Sequence, residues 1–177
     1  MEINHVKINC SKVDIDENDL NVSTQAEEQL ADYRNIAIFG IDSREDTYDK
    51  GNRSDCIIIA SINNKTKDVK LLSVYRDTYV QIEGHGLDKI THAYSYGEVP
   101  LAIKTLNTNL DLNIKEFVTV NFDAVKEIID DIGGISMNIT AEEVPHISGI
   151  TKAGTYNLTG EQALAYARIR YATGGDY

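Results

Sequence analysis

Residues 35–75 read NIAIFGIDSREDTYDKGNRSDCIIIASINNKTKDVKLLSVY, and this stretch decides the fold. Three short apolar runs, at 35–41, 56–62 and 69–75, are separated by polar residues, which is typical of buried strands. The segment NNKTKD between the last two runs is rich in turn-forming residues, so the pattern predicts an antiparallel hairpin. The long polar loop after the first run suits functional residues, because loops at strand ends often carry them.

Helix and strand patterns alternate after this hairpin. A short edge strand is expected at 78–82, and apolar residues at helical spacing predict a helix over 99–110, with Pro100 in its tolerant first turn. An alternating pattern predicts strands at 117–122 and 135–139.

Two further helices complete the pattern. Asp123 is expected to cap the first, whose buried face is predicted to be Val125, Ile128, Ile129 and Ile132. Thr159 and Gln162 form a capping box that opens the second. The fold class predicted is α/β, a three-layer α/β/α sandwich whose central mixed sheet contains an antiparallel hairpin.

The domain proper is expected over residues 35–177, preceded by an acidic extension over residues 1–34. Within the extension the pattern suggests a short strand at 6–8 and a short helix at 24–33. The two cysteines, Cys10 and Cys56, have no metal-like or redox-like spacing, and Cys56 is expected to be a buried free thiol because it opens an apolar run.

The net charge of −11 argues against a nucleic-acid binder, because such proteins need a positive field. Against this acidic background the placement of arginine is informative. Arg53 and Asp55 precede the second strand, Arg76 and Asp77 end the third, and Asp42 ends the first. Arg168 and Arg170 lie two apart near the end of the chain, with Asp176 following, and would share a face if the chain there were extended.

Arginine donates two parallel hydrogen bonds to a phosphate, which lysine cannot reproduce. Aspartates among the arginines would oppose anion binding alone, but they suit Mg²⁺, which takes one or two carboxylates together with phosphate oxygens. The set therefore predicts a phosphate-handling site. The alternative is that each pair is only a salt bridge at the end of a strand.

At these residues the sequence resembles the LytR-CpsA-Psr family. The matching stretches include NIAIFGID, NRSDCIIIASINNKTKDVKLLSVYRDTYV, DKITHAYSYGEVPLAIKTLN, FVTVNFDAVKEIIDDIGGISMNI and TYNLTGEQALAYARIRYATGGD. They follow the family's order from Asn35 to Asp176. The resemblance implies an α/β/α sandwich with an apolar tunnel for a polyprenyl chain, and transfer of a glycan phosphate such as teichoic acid or capsule onto peptidoglycan.

By this resemblance, Asp42 and Asp55 correspond to carboxylates that hold Mg²⁺. The pyrophosphate-binding arginines would be Arg53, Arg76, Arg168 and Arg170. Arg76 and Asp77 would be the catalytic pair, with Asp77 orienting Arg76 or assisting proton removal. Lys89 and His92 lie in a stretch that resembles the family's KINHAY, with Thr91 where asparagine is usual, and their role is left open.

The chain departs from the family pattern at Cys56, where threonine is usual, and it is expected to lack both the membrane anchor and the family's C-terminal part. The partners implied are a polyprenyl-pyrophosphate-linked glycan and a peptidoglycan acceptor, at an extracytoplasmic, membrane-anchored location. Two other functions stay open: a non-catalytic binder of the lipid-linked glycan that regulates the envelope, and a pyrophosphatase acting on the same lipid.

Overall fold

The computed structural model describes residues 19–42 and 51–170, which form two compact units. The first unit contains residues 19–42 and 51–121, and the second contains residues 122–170. The strand expected at 6–8 and the residue Asp176 lie outside the described residues.

The first unit is built on a mixed four-stranded sheet. Its strands are β1 (Tyr33–Ile41), β2 (Ser54–Asn63), β3 (Val69–Val74) and β6 (Glu116–Val120), in the order β3-β2-β1-β6. β2 pairs antiparallel with both β1 and β3, whereas β6 runs parallel to β1. The predicted hairpin and all four strands of the sheet are therefore confirmed, although the last strand ends at Val120 and Phe122 begins a helix.

A separate two-stranded sheet follows β3. Its strands are β4 (Tyr79–Ile82) and β5 (Gly86–Lys89), paired antiparallel. The expected strand at 78–82 thus exists, but it is not an edge strand of the main sheet. A turn redirects the chain between β3 and β4, and the Thr78 N–H donates to the Tyr75 carbonyl across it at 2.9 Å.

Two helices belong to the first unit. Helix α1 (Thr24–Gln29) is capped by Ser23 and is shorter than the predicted helix, because Tyr33 already belongs to β1. Helix α2 (Thr91–Leu110) is interrupted by non-helical residues at Gly97 and Glu98. The part after this break matches the predicted helix over 99–110, and its Pro100 lies in the first turn after the interruption.

The core of the first unit lies between α2 and one face of the sheet. Ile103 and Leu106 of the helix pack with Phe39 and Ile57 of the strands, and all four are at most 2% exposed. Leu20 belongs to the same core, and its carbonyl accepts a hydrogen bond from the buried Asn107 side chain. The assignment of residues 1–34 as an extension stays a prediction.

The second unit contains helices α3 (Phe122–Asp131) and α4 (Gly160–Ala167) and the antiparallel strands β7 (Ile135–Ile139) and β8 (Gly154–Leu158). The predicted capping box is present: the Thr159 hydroxyl accepts from the Gln162 N–H, and the Gln162 side chain accepts from the Thr159 N–H. Gly160 lets the two helices approach closely, because a Cβ there would lie 2.2 Å from the Lys126 carbonyl oxygen.

Two expectations about α3 are wrong. Asp123 is not its cap, since the helix already begins at Phe122, and its carboxylate instead pairs with Lys126 at 2.7 Å. The predicted buried face fails at Ile132, which is 67% exposed because the helix ends at Asp131; the other three members are half-buried.

Within the described ranges, no helix is long and apolar enough to cross a membrane.

Candidate active site

Arg76 and Asp77 occupy the tip of the tight turn between β3 and β4. The Tyr75 carbonyl, at the start of the turn, accepts from both the N–H and the hydroxyl of Thr78, at 2.9 and 2.6 Å. These two bonds fix the backbone on either side of the pair. The turn therefore presents one guanidinium and one carboxylate side by side at the end of the sheet.

Arg76 and Asp77 join an ion-pair network with residues of two other segments. The Arg76 Nη1 lies 2.9 Å from the Asp55 Oδ1 on β2, and the Arg76 Nε lies 3.7 Å from the Asp77 Oδ2. Lys89 of β5 contributes its Nζ, 2.6 Å from the Asp77 Oδ1. Segments separated in sequence thus bring two cations and two carboxylates together.

The four side chains of this network are 37–55% exposed, so a ligand from solvent can reach them. Exposed ion pairs contribute little to stability, typically about 0–1 kcal/mol. The hydrogen bond from Lys89, reinforced by the charges of Lys89 and Arg76, lowers the pKa of Asp77 below its usual range. Asp77 is therefore a weak base, and its contacts suit it to orient Lys89 and Arg76.

The first turn of α2 holds two segments of the network in place. The Thr91 N–H donates to the Arg76 carbonyl at 3.1 Å, and the Thr91 hydroxyl donates to the Ser54 carbonyl at 3.1 Å. Thr91 is 3% exposed. One buried residue thus joins the backbone beside Asp55 to the backbone of Arg76.

Asp42 and Arg53 lie where β1 ends and β2 begins. The Asp42 N–H donates to the Arg53 carbonyl at 3.4 Å, which joins the two residues just beyond the end of β1 and just before the start of β2. Ser54 is buried while Arg53 and Asp55 on either side of it are exposed, the alternation expected if Arg53 and Asp55 share a face. The structure thus places Asp42, Arg53, Asp55, Arg76 and Asp77 at connected points of one unit.

Arg168 and Arg170 belong to the second unit. Arg168 ends α4 with φ −92° and ψ −1°, so the chain is not extended there as the shared-face prediction required. Its guanidinium lies 4.4 Å from the centroid of the Phe122 ring, and Arg170 donates to the Ala167 carbonyl at 3.0 Å. That these two arginines meet the others around one ligand stays a prediction.

Arg168 also lines a cavity of about 330 Å³ in the second unit. The other lining residues are His146, Glu161, Leu164, Ala165 and Ile169. An arginine at the wall of an open cavity is suitably placed to bind an anion. Arg168 thus lies at the wall of a cavity formed within its own unit.

The site set predicted from the sequence omitted residues that hold it together. The sequence pattern leaves the role of Lys89 open and does not indicate Ser95, whose hydroxyl donates to the Asn52 carbonyl at 2.8 Å. The expected burial of the Cys56 thiol is wrong, since this free cysteine is exposed. Its cross-strand partner is Gly40, which has no side chain to cover it.

The model of the LytR_cpsA_psr family matches residues 3–177. This chain belongs to the LytR-CpsA-Psr family. It is 40% identical over 147 residues to the polyisoprenyl-teichoic acid–peptidoglycan teichoic acid transferase TagT of Bacillus subtilis (strain 168), covering 77% of this chain and 45% of TagT. It is 38% identical over 146 residues to the corresponding transferase TagU of Enterococcus faecalis, covering 80% and 47% of the two chains.

The solved structures agree with the family assignment. The structure of YwtF (TagT) with bound octaprenyl pyrophosphate lipid matches with a TM-score of 0.66 and 35% identity, covering 81% of this chain and 59% of that one. The structure of TagT bound to LIIa-WTA matches with a TM-score of 0.66 and 34% identity, over 80% and 56% of the two chains. The predicted α/β fold class is confirmed, and the chain spans about half the length of the curated relatives it matches.

Proposed function

We propose that this chain carries the catalytic site of a transferase that moves a polyprenyl-pyrophosphate-linked glycan, with one phosphate, onto peptidoglycan. The observation that carries the proposal is the exposed Arg76 at a turn tip, 2.9 Å from Asp55 and braced by Asp77 and Lys89. The relatives named as teichoic acid transferases and the lipid pyrophosphate bound to YwtF (TagT) support this substrate class.

Arg76 and Arg53 are the cations of the first unit that we assign to the pyrophosphate; the binding role of Arg168 and Arg170 stays a prediction from the resemblance. A diphosphate carries several charged oxygens, and a guanidinium can donate to two of them at once. Negative charge develops on the departing polyprenyl phosphate, so a guanidinium already in position stabilises the transition state without rearranging. Asp77, held by Lys89, keeps the Arg76 side chain oriented.

Mg²⁺ is the cofactor that we propose, held by Asp42 and Asp55. In the described part of the chain no group of three or more His, Cys, Asp or Glu residues is arranged to hold a metal. A two-carboxylate site nevertheless fits Mg²⁺, which takes its remaining ligands from phosphates and water. The Oδ1 of Asp55 contacts Arg76, and its second carboxylate oxygen leaves it able to bind Mg²⁺ as well. Bound Mg²⁺ would neutralise phosphate charge.

The reaction proposed needs a lipid donor and a wall acceptor, so we place the site outside the cytoplasm on a membrane-anchored protein. The polyprenyl tail is proposed to enter an apolar tunnel beside α2. The apolar residues of this helix after its break, Val99, Ala102, Ile103 and Leu106, are at most 5% exposed. These residues belong to the packed core of the first unit, so the proposal of a tunnel rests on the octaprenyl pyrophosphate lipid bound to YwtF (TagT) and on the need of lipid tails for enclosure by apolar side chains.

The experiment is turnover of a polyprenyl-pyrophosphate-linked glycan by the natural protein, with and without peptidoglycan. A transferase releases polyprenyl phosphate and labels the peptidoglycan, and the release depends on the acceptor. Release that is equal without peptidoglycan would identify a pyrophosphatase instead. Binding of the donor with no release under either condition would identify a non-catalytic binder.

The metal assignment is tested with Asp55→Ala and the control Asp68→Ala, which removes an exposed aspartate of the same unit whose carboxylate bonds to Thr66. Loss of a metal that stabilises the leaving phosphate should lower Mg²⁺-dependent turnover roughly a hundredfold, equivalent to about 2.7 kcal/mol. Asp68→Ala should retain turnover. Near-normal, Mg²⁺-dependent turnover in Asp55→Ala would rule the assignment out.

A further inference from the structure

A second polar cluster lies where β5 meets α2, and the roles assigned so far do not use it. The Asp88 carboxylate accepts from the Tyr96 hydroxyl at 2.8 Å and from the Lys89 N–H at 2.7 Å. The same carboxylate contacts the Nδ1 of His92 at 2.9 Å. Asp88 belongs to β5, whereas His92 and Tyr96 lie four residues apart in α2. Through these contacts one carboxylate orients an imidazole and a phenol.

The contacts of Asp88 determine which nitrogen of His92 carries the proton. The hydrogen bonds from His92 and Tyr96 hold the pKa of Asp88 at about 2, so the group is an ionised carboxylate at neutral pH. An ionised carboxylate only accepts hydrogen bonds, so the Nδ1 of His92 must be the donor. In the neutral imidazole the Nε2 then has the free lone pair and can accept a proton.

Neighbours of His92 in α2 contact the segments of the candidate active site. It shares a helix face with Ser95, three residues later, and the Ser95 hydroxyl donates to the Asn52 carbonyl, next to Arg53. The preceding residue, Thr91, bonds to the backbone of Arg76 and Ser54. The His92 side chain is 27% exposed, so it is accessible yet held by its carboxylate.

The chemistry proposed above needs a group that takes a proton from the attacking hydroxyl. Asp77 is poorly suited, because the hydrogen bond from Lys89 lowers its pKa and its carboxylate is already engaged with two cations. An imidazole oriented by a carboxylate is an arrangement that performs this task in general base catalysis, since the carboxylate also stabilises the imidazolium that forms.

We propose that His92, oriented by Asp88, is the proton acceptor of the transfer reaction; this rests on the proposed function. The acceptor hydroxyl oxygen forms a bond to the phosphorus next to the glycan, while its proton passes to the Nε2 of His92. The bond from that phosphorus to the bridging oxygen breaks, and polyprenyl phosphate leaves with the electron pair. The imidazolium then returns its proton to solvent.

The test compares His92→Gln with His85→Gln in the natural protein, using polyprenyl-pyrophosphate-linked glycan and peptidoglycan. His85 is a matched control, because it stacks on the Tyr96 ring at 4.1 Å without a hydrogen bond to Asp88 or His92 among the described contacts. General base catalysis contributes about 100- to 10,000-fold, so His92→Gln should lower turnover at least 100-fold. The affinity of His92→Gln for the lipid donor should stay within about threefold of wild type, because the base is not needed to bind the donor. The turnover of the control His85→Gln should also stay within about threefold of wild type.

Chemical rescue separates a proton acceptor from a structural residue. Imidazole added to His92→Gly should restore turnover in proportion to its free-base concentration, while His85→Gly should show no such dependence. If the His92 variants do not fold, Asp88→Asn carries the test. The neutral amide of the asparagine does not keep the proton of His92 on Nδ1, and it does not stabilise the imidazolium. Turnover should therefore fall at least tenfold.

The outcomes distinguish the two proposals. A wild-type protein that releases no polyprenyl phosphate overturns both. A wild type that transfers the glycan, with a folded His92→Gln or Asp88→Asn that matches its turnover, overturns the proton acceptor alone. A folded His92→Gly that loses turnover but is not rescued by imidazole also overturns it, since the residue would then have only a structural role.

Discussion

Thr91→Val is the substitution that tests how the candidate active site is assembled. The change keeps the side-chain shape but removes the hydroxyl that donates to the Ser54 carbonyl at 3.1 Å in a buried position. A net hydrogen bond of this kind contributes about 1 kcal/mol, and the carbonyl left without its donor raises the cost to about 1–2 kcal/mol. The backbone bond from Thr91 to Arg76 remains.

The assay is urea denaturation followed by far-ultraviolet circular dichroism. With a denaturant slope of roughly 2 kcal/mol per molar urea, the expected loss lowers the midpoint by roughly 0.5–1 M. Thr105→Val is the matched control in the same helix. Thr105 is also buried, at 2% exposed, and its hydroxyl donates to the Leu101 carbonyl one turn earlier, which the helix ladder already supplies with an N–H.

The two substitutions should therefore shift the urea midpoint by different amounts. Thr105→Val removes a redundant bond and should shift the midpoint by less than about 0.2 M, since such local back-bonding adds little to helix stability. Equal midpoint shifts for the two variants would contradict the idea that Thr91 ties the site segments together, because they would show that its hydroxyl contributes no more than any buried threonine.

Two further predictions concern packing and pH. Gly160→Ala should destabilise the second unit by about 1–3 kcal/mol in urea denaturation, because its Cβ would lie 2.2 Å from the Lys126 carbonyl and the helices must separate; a stability equal to wild type would contradict the close approach. The pKa of Asp88 is lowered on folding to about 2, so its stabilising effect should be full above about pH 4 and lost as pH falls toward 2. Thermal unfolding should accordingly show that Asp88→Asn lowers the melting temperature at pH 7 but much less near pH 2, and a pH-independent difference would refute this.

The parts of the fold that sequence predicted are those with strong local patterns. The runs that became β1, β2 and β3 are apolar and bounded by polar residues, and the helix after Gly97 has clear 3.6-residue periodicity. By contrast, β5 is the short segment GLDK and the start of α2 is THAYSY, and neither has a local hydrophobic pattern. Tertiary contacts stabilise these segments instead, such as the hydrogen bonds from Thr91 to the carbonyls of Arg76 and Ser54.

The site was predictable by residue type but not by role. Arginine beside aspartate at strand ends indicated phosphate chemistry, and the structure joins Asp55, Arg76 and Asp77. The contact of Lys89 with Asp77 depends on the pairing of β5 with β4, in which Lys89 lies opposite Tyr79. The sequence did not indicate this pairing. A shared face for Arg168 and Arg170 required extended backbone, a condition that Arg168 does not meet, because where a helix ends depends on packing as well as on its sequence.

Release of polyprenyl phosphate by Arg76→Ala tests most directly whether Arg76 binds and activates a lipid pyrophosphate. Arg34→Ala is the control, since Arg34 forms an exposed ion pair with Glu116 at the start of β1. Charged hydrogen bonds contribute about 1.5–3 kcal/mol each, so losing two should lower turnover at least about 100-fold. Turnover in Arg34→Ala should stay within about twofold of wild type, as expected for a surface pair. An Arg76→Ala protein that releases polyprenyl phosphate at the wild-type rate would contradict the account.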